Sequence, residues 1–530
     1  MIFTSKLPAI EIPQVDLYTF LLDTPNSVAE SQVVLTNGAT GRNYTFSQLK
    51  KNSLAFGGNL VKKYGVKKGD VLALFTPNIT EYSTVCLGAF AAGATVTTAN
   101  PAYTPSELAH QLGQTKPKVI VTLSSLVETV KQAMEIAKVD LQFILCDREL
   151  FGLMEESNRT FQRVKLTDRD VAYICYSSGT SGAPKGVQLT HRNLVANILQ
   201  QSVLYEKKEQ DIVLGVLPFF HIFGLCCILH APLYRGMQVI TMEKFDLLEF
   251  LKIIEKYRVT MTTIVPPIAL ALARHPIVQK FDISSLKSVV CGAAPLSRDL
   301  SEELTVATRG GAINQGYGMT ETSPVIAVSM PGKIVLGSIG ILAPNVEAKI
   351  LSPEGKELGI NEEGELCVRG PNIMLGYFNN PKDTADIMDK DGFLHTGDVA
   401  KIDENGYFFI TDRLKELIKY KGFQVAPAEL EALILTHPSV MDVAVIPFNQ
   451  PEQATEVPLA YVVVKEKSLE NSQTAKDIIE FVSKNVVAYK KLRGGVKFLK
   501  SIPKNSSGKI MRRHLKDLLK KEGLTLTAKL

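Results

Sequence analysis

Through the first 300 residues, short apolar, β-rich runs alternate with stretches of helical periodicity, and this alternation restricts the fold more than any other feature of the chain. Val71-Leu-Ala-Leu-Phe75, Lys118-Val-Ile-Val-Thr122, Gln142-Phe-Ile-Leu-Cys146, Ile212-Val-Leu-Gly-Val216 and Lys287-Ser-Val-Val-Cys291 read as strands. Between them, stretches such as 106–112 and 247–257 are amphipathic with helical spacing. The pattern predicts an α/β fold of mostly parallel sheets covered by helices. After about Val335 the texture changes to Gly-punctuated strands at 346–351, 364–369 and 406–410, expected to form a small antiparallel or barrel-like unit. A charged junction at 411–415 leads into a smaller α+β unit. Its elements are a helix over 427–437 with Pro427 in the first turn, strands at 442–447 and 459–465, and a helix over 476–487. There is no internal repeat and no low-complexity segment.

A chain of 530 residues has room for three or four units at about 150 residues each. Its net charge of +5 implies neither a nucleic-acid nor a membrane partner by itself. The distribution says more: from Arg413 onward 21 Lys and Arg face 12 Asp and Glu, so that part carries +9 and the remainder −4. An acidic ligand is expected to meet the C-terminal part. Seven scattered cysteines with no C-x-x-C predict neither a disulfide framework nor a zinc cluster and favour a reducing compartment. Pro8, Glu11, Pro13 and Asp16 break up any secretory leader. Residues 212–234 lack Lys, Arg, Asp and Glu over a membrane-spanning length, but Gly215, Pro218, Gly224 and Pro232 predict a buried strand, loop and helix instead.

The richest stretch is Tyr176-Ser-Ser-Gly-Thr-Ser-Gly-Ala-Pro-Lys-Gly186. Hydroxyls at Ser177, Ser178, Thr180 and Ser181 alternate with Gly179, Gly182 and Gly186, and Lys185 follows. Glycines let backbone N–H groups close on an anion, and hydroxyls with an ammonium complete a polyphosphate cradle. A Ser/Gly linker is the alternative, although a linker seldom ends in Pro-Lys-Gly. The spacing is not that of the Walker loop, which argues against a P-loop NTPase.

With the motifs that follow it, this loop resembles the adenylate-forming superfamily of acyl-CoA synthetases, 4-coumarate–CoA ligases and beetle luciferases. In order come Leu217-Pro-Phe-Phe-His-Ile-Phe-Gly224, Cys291-Gly-Ala-Ala-Pro-Leu296, Gln315-Gly-Tyr-Gly-Met-Thr-Glu321, Gly364-Glu-Leu-Cys-Val-Arg-Gly370 and His395-Thr-Gly-Asp398. Asp412-Arg-Leu-Lys-Glu-Leu-Ile-Lys-Tyr-Lys-Gly-Phe-Gln424 and Pro503-Lys-Asn-Ser-Ser-Gly-Lys509 complete the set, and the match runs from about residue 30 to 515. The resemblance implies an N-terminal adenylation domain over 1–411, a hinge at 412–416 and a mobile C-terminal lid over 417–530.

The resemblance also implies roles. Asp398 and Arg413 hold the ribose, and Tyr317 offers a flat face to adenine between Gly316 and the backbone of Ala293, with Gln315 beside them. Thr320 donates to the α-phosphate. Glu321, with Thr180, supplies oxygen ligands to Mg²⁺; a helix-terminal carboxylate is the alternative for Glu321. Lys509 bridges the carboxylate and the α-phosphate, stabilising charge in the transition state. Lys415 is the pivot of the hinge, Lys419 and Gln424 act once the lid has turned, and Lys421, Gly422 and Lys244 contact CoA. His221, as easily a satisfied core histidine, lines and gates an acyl pocket with Phe223, Cys227, Gly292, Gly316, Ser323 and Val325.

Together these imply an ATP-dependent carboxylate–CoA ligase working through an acyl-adenylate. Phe223 and Cys227 stand where coumarate ligases carry a phenol and a hydroxyl, which makes the pocket more apolar and leaves aryl and medium- or long-chain fatty acids open. A luciferase-type monooxygenase sharing the first half-reaction is the alternative activity. Phe281-Asp-Ile-Ser284 imitates an amino-acid recognition string but falls about 100 residues past the loop, too far to be that element. Ala528-Lys529-Leu530 is close to a peroxisomal address, implying an import receptor as partner and a peroxisomal location, with the cytoplasm as the alternative.

Overall fold

A computed structural model describes the chain except for residues 24–27, 156–160, 178–183, 204–210, 293–295, 297, 331–332, 336, 415, 421–422, 451–454, 506–507 and 522–530. Contacts divide it into two compact units, one of Ile2–Ala348 with Val368–Leu394 and one of Met1, Lys349–Cys367 and His395–Leu530.

The larger unit is built on two sheets. In the seven-stranded one, Val71–Phe75, Thr95–Ala99, Val119–Thr122, Gln142–Leu145 and Val171–Ser177 run parallel, and Lys185–Thr190 turns back antiparallel to Val171–Ser177. The nine-stranded sheet is parallel from Ala312–Gly318 through Ser288–Cys291, Met261–Ile264, Ile212–Gly215 and Gln238–Thr241 to Val33–Asn37. All five strands expected from sequence are present within a residue or two, and the helix Leu247–Tyr257 has the expected bounds. Such strands are apolar throughout because helices cover both faces of a parallel sheet. Two helices, Phe46–Tyr64 and Tyr82–Ala91, pack unusually close: a Cβ at Gly57 would stand 2.7 Å from the Gly88 carbonyl oxygen, and one at Gly88 2.8 Å from that of Ser53.

The uncharged stretch forms the strand Ile212–Gly215, a wide helical segment Phe223–His230 and the short helix Ala231–Tyr234. No helix among the described residues is long and apolar enough to cross a membrane.

In the smaller unit Leu394–Ile402 pairs antiparallel with Phe408–Arg413. Further on, Val440–Gln450 and Thr455–Val464 pair antiparallel and Gly495–Phe498 joins in parallel. Alternate side chains of this sheet serve two cores, as the two-residue period of a strand requires. Val443, Val445, Val462 and Val464 pack with Leu430, Ile434, Ile478 and Val482 of the helices Pro427–Leu435 and Ser472–Asn485. Ala444, Ile446, Tyr461 and Val463 pack with Ile502 and with Leu515 and Leu519 of the helix Arg512–Lys521.

Candidate active site

In the larger unit the phosphate-cradle loop is the tip of a β-hairpin. Ser177 and Lys185 are cross-strand partners, so the loop leaves and returns at one rung. Ser178, Gly179, Thr180 and Ser181 lie outside the described residues. The buried Ser177 Oγ has no hydrogen-bond partner among the described residues. Lys185 Nζ sits 2.5 Å from Asp383 Oδ2 and 5.0 Å from the centroid of the Tyr377 ring.

An apolar cavity of about 120 Å³ runs along the nine-stranded sheet, from Val213, Met237 and Met261 to Gly292 and Gly316. His221, Phe223, Cys227, Gly292, Gly316, Tyr317, Val325 and Val328 line it. Phe223 packs against Gly292, where a Cβ would stand 2.8 Å from the ring's Cζ. The wide helical turn of Phe223–His230 presents Cys227 to the same space, and burial pushes its thiol well above the ordinary value, so it is a neutral wall. His221 Nδ1 accepts from the Phe223 backbone N–H at 3.2 Å, leaving Nε2 to carry the proton. Burial brings the His221 pKa down to about 4, so the ring is neutral near pH 7. Ser323 does not line the cavity: the chain turns at its φ of 69°, the side chain is fully buried, and Pro324 and Val325 form the wall instead.

The strand Ala312–Gly318 carries Gln315, Gly316 and Tyr317 and runs directly into the Thr320–Thr322 turn. Gln315 Oε1 accepts from the Leu296 backbone N–H at 3.1 Å, which ties down the end of the Cys291-to-Leu296 motif; Ala293 lies outside the described residues. Thr320 and Glu321 are buried. Glu321 Oε1 accepts from the Tyr377 hydroxyl at 2.9 Å, and no Lys or Arg pairs with that carboxylate among the described residues. Burial and the Glu321 charge raise the Tyr377 pKa, keeping the phenol a donor. Sequence reasoning did not single out Tyr377, because nothing near it in the chain marks it. Lys244 is exposed on the bend after Gln238–Thr241.

In the smaller unit Asp398 and Arg413 are cross-strand partners, and Arg413 Nε pairs with the buried Asp398 Oδ1 at 2.9 Å. The strand carrying Asp398 is braced by Glu365, whose Oε2 lies 2.8 Å from His395 Nδ1 and whose Oε1 accepts from the Gly397 N–H at 3.2 Å. Cys367 Sγ is 3.5 Å from the same His395 nitrogen, so the three form a hydrogen-bonded hub on one ring atom. Lys509 is fixed by its own loop: its N–H donates to Asn505 Oδ1 and its carbonyl accepts from the Asn505 N–H, both at 2.9 Å. Burial, then the Arg413 charge, hold its ammonium down to about 8 against the pull of Glu416 and Asp398. The Lys509 ammonium thus feels the charges of Arg413 and Asp398, although 111 residues separate Lys509 from Asp398 along the chain.

Lys419 and Gln424 face each other across the hairpin of Ile418–Tyr420 and Phe423–Val425. Lys415, Lys421 and Gly422 lie outside the described residues, as do Ala528, Lys529 and Leu530. Arg512 is the ionic hub beneath this region, pairing with Glu416 at 2.8 Å and Glu431 at 2.6 Å. The amino-acid-string lookalike is a surface turn, where Asp282 pairs with Arg258 and Arg309.

Residues 23–378 match the family model of the AMP-binding enzyme, and residues 429–509 match that of the AMP-binding enzyme C-terminal domain. The chain is 42% identical to 4-coumarate–CoA ligase 1 of Petroselinum crispum over 534 residues, covering 97% of this chain and 96% of that one. It is also 42% identical to a 4-coumarate–CoA ligase of Pinus taeda, covering 98% of both. Among solved structures, ATP-bound MatB from Rhodopseudomonas palustris aligns with a TM-score of 0.88 at 27% identity, over 96% of this chain and 100% of that one.

Proposed function

The chain belongs to the AMP-binding enzyme family, and from that premise we propose which acid it activates and which residues do the work. It is an AMP-forming acid–CoA ligase: ATP and a carboxylic acid give an acyl-adenylate and pyrophosphate, and CoA then takes the acyl group as AMP leaves. The adenylate turns an unreactive carboxylate into a mixed anhydride.

The proposed substrate is a flat aryl acid of the 4-coumarate type. The observation carrying this reading is the apolar cavity whose wall, Gly316 and Tyr317, continues into Thr320 and Glu321. Its glycines, Gly292 and Gly316, leave a narrow face for a ring. Phe223 and Cys227 make its surroundings less polar than a phenol demands, so weakly substituted rings are expected to be taken best.

In the first step the proposed polyphosphate seat is Ser177, Ser178, Gly179, Thr180, Ser181 and Lys185, with Tyr317 on adenine and Asp398 and Arg413 on the ribose. Thr320 donates to the α-phosphate and Lys509 stabilises charge building at phosphorus. Glu321 fits a divalent cation, being a buried carboxylate without a cationic partner among the described residues, and oxygen donors suit Mg²⁺. Glu321 with Thr180 would hold it, and Mg²⁺ when bound would neutralise polyphosphate charge.

For the second step, the lid of 417–530 turns about 412–416 with Lys415 as the pivot. Lys509 withdraws, and Lys419 and Gln424 arrive on one rung of their hairpin. Lys244, Lys421 and Gly422 meet CoA, and the neutral His221 gates the cavity. The +9 charge of the C-terminal part suits two polyanionic substrates. Ala528, Lys529 and Leu530 carry the further proposal of import into peroxisomes by a receptor, which a fluorescent fusion with and without those residues tests.

A panel of cinnamate-type, benzoate-type and fatty acids, scored by pyrophosphate release with and without CoA, tests the substrate. Cinnamate-type acids should give the highest kcat/KM and a thioester product. A preference for long-chain acids overturns the aryl assignment; light and CO₂ from a luciferin, with no thioester, would instead assign the oxygenase activity.

A further inference from the structure

Residues 371–378 bridge the phosphate-loop hairpin and the Thr320–Thr322 turn and are bonded to both. The Met374 N–H donates to the Glu321 carbonyl at 2.9 Å, that of Leu375 to Gln188 at 3.0 Å and that of Phe378 to Gly186 at 2.7 Å. Gly376 and Tyr377 pair antiparallel with Gln188 and Val187 just beyond Lys185. The bridging segment is also tied to the helix Pro381–Ile387, because the Tyr377 N–H donates to Thr384 Oγ1 at 2.9 Å. Within this frame the Tyr377 hydroxyl holds Glu321 while its ring lies 5.0 Å below the Lys185 ammonium. The ammonium is paired with Asp383 at 2.5 Å. Asp383 is itself oriented by Asn380, whose Nδ2 donates to Asp383 Oδ2 at 2.9 Å.

Lys185 and Glu321 thus share one aromatic ring as neighbour and yet form no ion pair. Opposite charges that share a neighbour gain by pairing directly, and a direct pair would neutralise both. The Tyr377 hydroxyl engages the carboxylate, and Asp383 engages the ammonium. We propose that Tyr377 is a positioning residue, with Asp383 as its counterpart, that keeps the loop ammonium and the Glu321 carboxylate from pairing with each other, so that a nucleotide's phosphates and their divalent cation meet the two groups separately. This rests on the assignment of Lys185 to phosphate and Glu321 to the cation.

The test is Mn²⁺ binding in the presence of ATP, read from the free-ion EPR signal, on the full-length enzyme. Tyr377→Phe keeps the ring but removes the donor to a carboxylate, and should weaken Mn²⁺ about tenfold. Asp383→Asn keeps the contact with Asn380, frees the ammonium to pair with Glu321, and should weaken Mn²⁺ by a similar factor. Both variants should keep the wild-type KM for the acid and the wild-type conversion of a supplied acyl-adenylate and CoA to thioester, which uses no polyphosphate. Glu321→Gln is the control. If it binds Mn²⁺ like wild type, the metal assignment of Glu321 fails and the proposal with it. If it loses Mn²⁺ while Tyr377→Phe and Asp383→Asn retain wild-type affinity, the positioning role alone is overturned. Equal losses in metal binding, acid KM and acyl-adenylate turnover also overturn it, since they mark a purely structural residue.

Discussion

Replacing Gly292 with Ala tests the wall of the acyl cavity at its tightest point. The new Cβ would stand 2.8 Å from Phe223 Cζ and 3.0 Å from Cε1, with the Gly316 carbonyl oxygen at 3.8 Å. Carbon atoms rest at about 3.5–4.0 Å, so the ring must retreat by roughly 1 Å. Phe223 lines the cavity, and the ring's retreat takes space from its 120 Å³. Overpacking of this kind costs about 1–3 kcal/mol, which is roughly 5- to 150-fold in kcat/KM where the bound acid bears the strain. Pyrophosphate release should therefore fall about 5- to 150-fold for cinnamate-type acids and less for smaller ones. The KM for ATP should stay as it was, since Gly292 is proposed to meet the acid and not the phosphates. A thermal melt separates misfolding from narrowing. If cinnamate-type and small acids lose nothing, or if ATP binding falls in step with acid binding, the flat slot between Phe223 and the glycines is not where the acid lies.

Lys509→Ala should abolish adenylation, by at least about a hundredfold, yet still convert supplied acyl-adenylate and CoA to thioester; equal loss of both half-reactions would contradict the assignment. With its pKa near 8, the Lys509 ammonium should lose its proton as pH rises through that value, and adenylation should decline with it. Lys509→Arg should move any remaining activity's alkaline limb upward, because a guanidinium keeps its proton; an unmoved limb assigns it to another group. In stability the sign is the reverse of a favourable pair: the unfolded chain holds that proton more tightly, so burying the ammonium opposes folding below about pH 8, and the cost is relieved as pH rises toward 10.5. Arg512→Leu leaves the buried Glu431 without its partner and should cost about 3–5 kcal/mol, seen as a lower Tm by calorimetry; an unchanged Tm would show that the hub contributes nothing.

Much of the fold was legible because a buried parallel strand announces itself by continuous apolar character. Val71–Phe75 and Leu247–Tyr257 have the bounds that their periodicity gives. The threonine-rich Thr95–Ala99, equally central, has no such run and was not singled out. The site was legible to the extent that its chemistry is local. The hydroxyls, glycines and Lys185 of one loop predict a phosphate seat without any knowledge of the fold. Gln315 shows where that stops: its carboxamide oxygen accepts from the Leu296 backbone N–H 19 positions away, a contact that no neighbouring residue announces.

What the chain alone determined was the alternation of strand and helix, the order of the motifs and the placing of excess positive charge after Arg413. These follow from period, composition and covalent order. Tertiary structure alone decided which distant groups share a site. Tyr377 meets a carboxylate 56 positions away, and Asp398 and Arg413 become partners only through the register of two strands. Register is fixed by the whole sheet's need to keep one set of side chains on its buried face, so no window of sequence around any of these residues contains it.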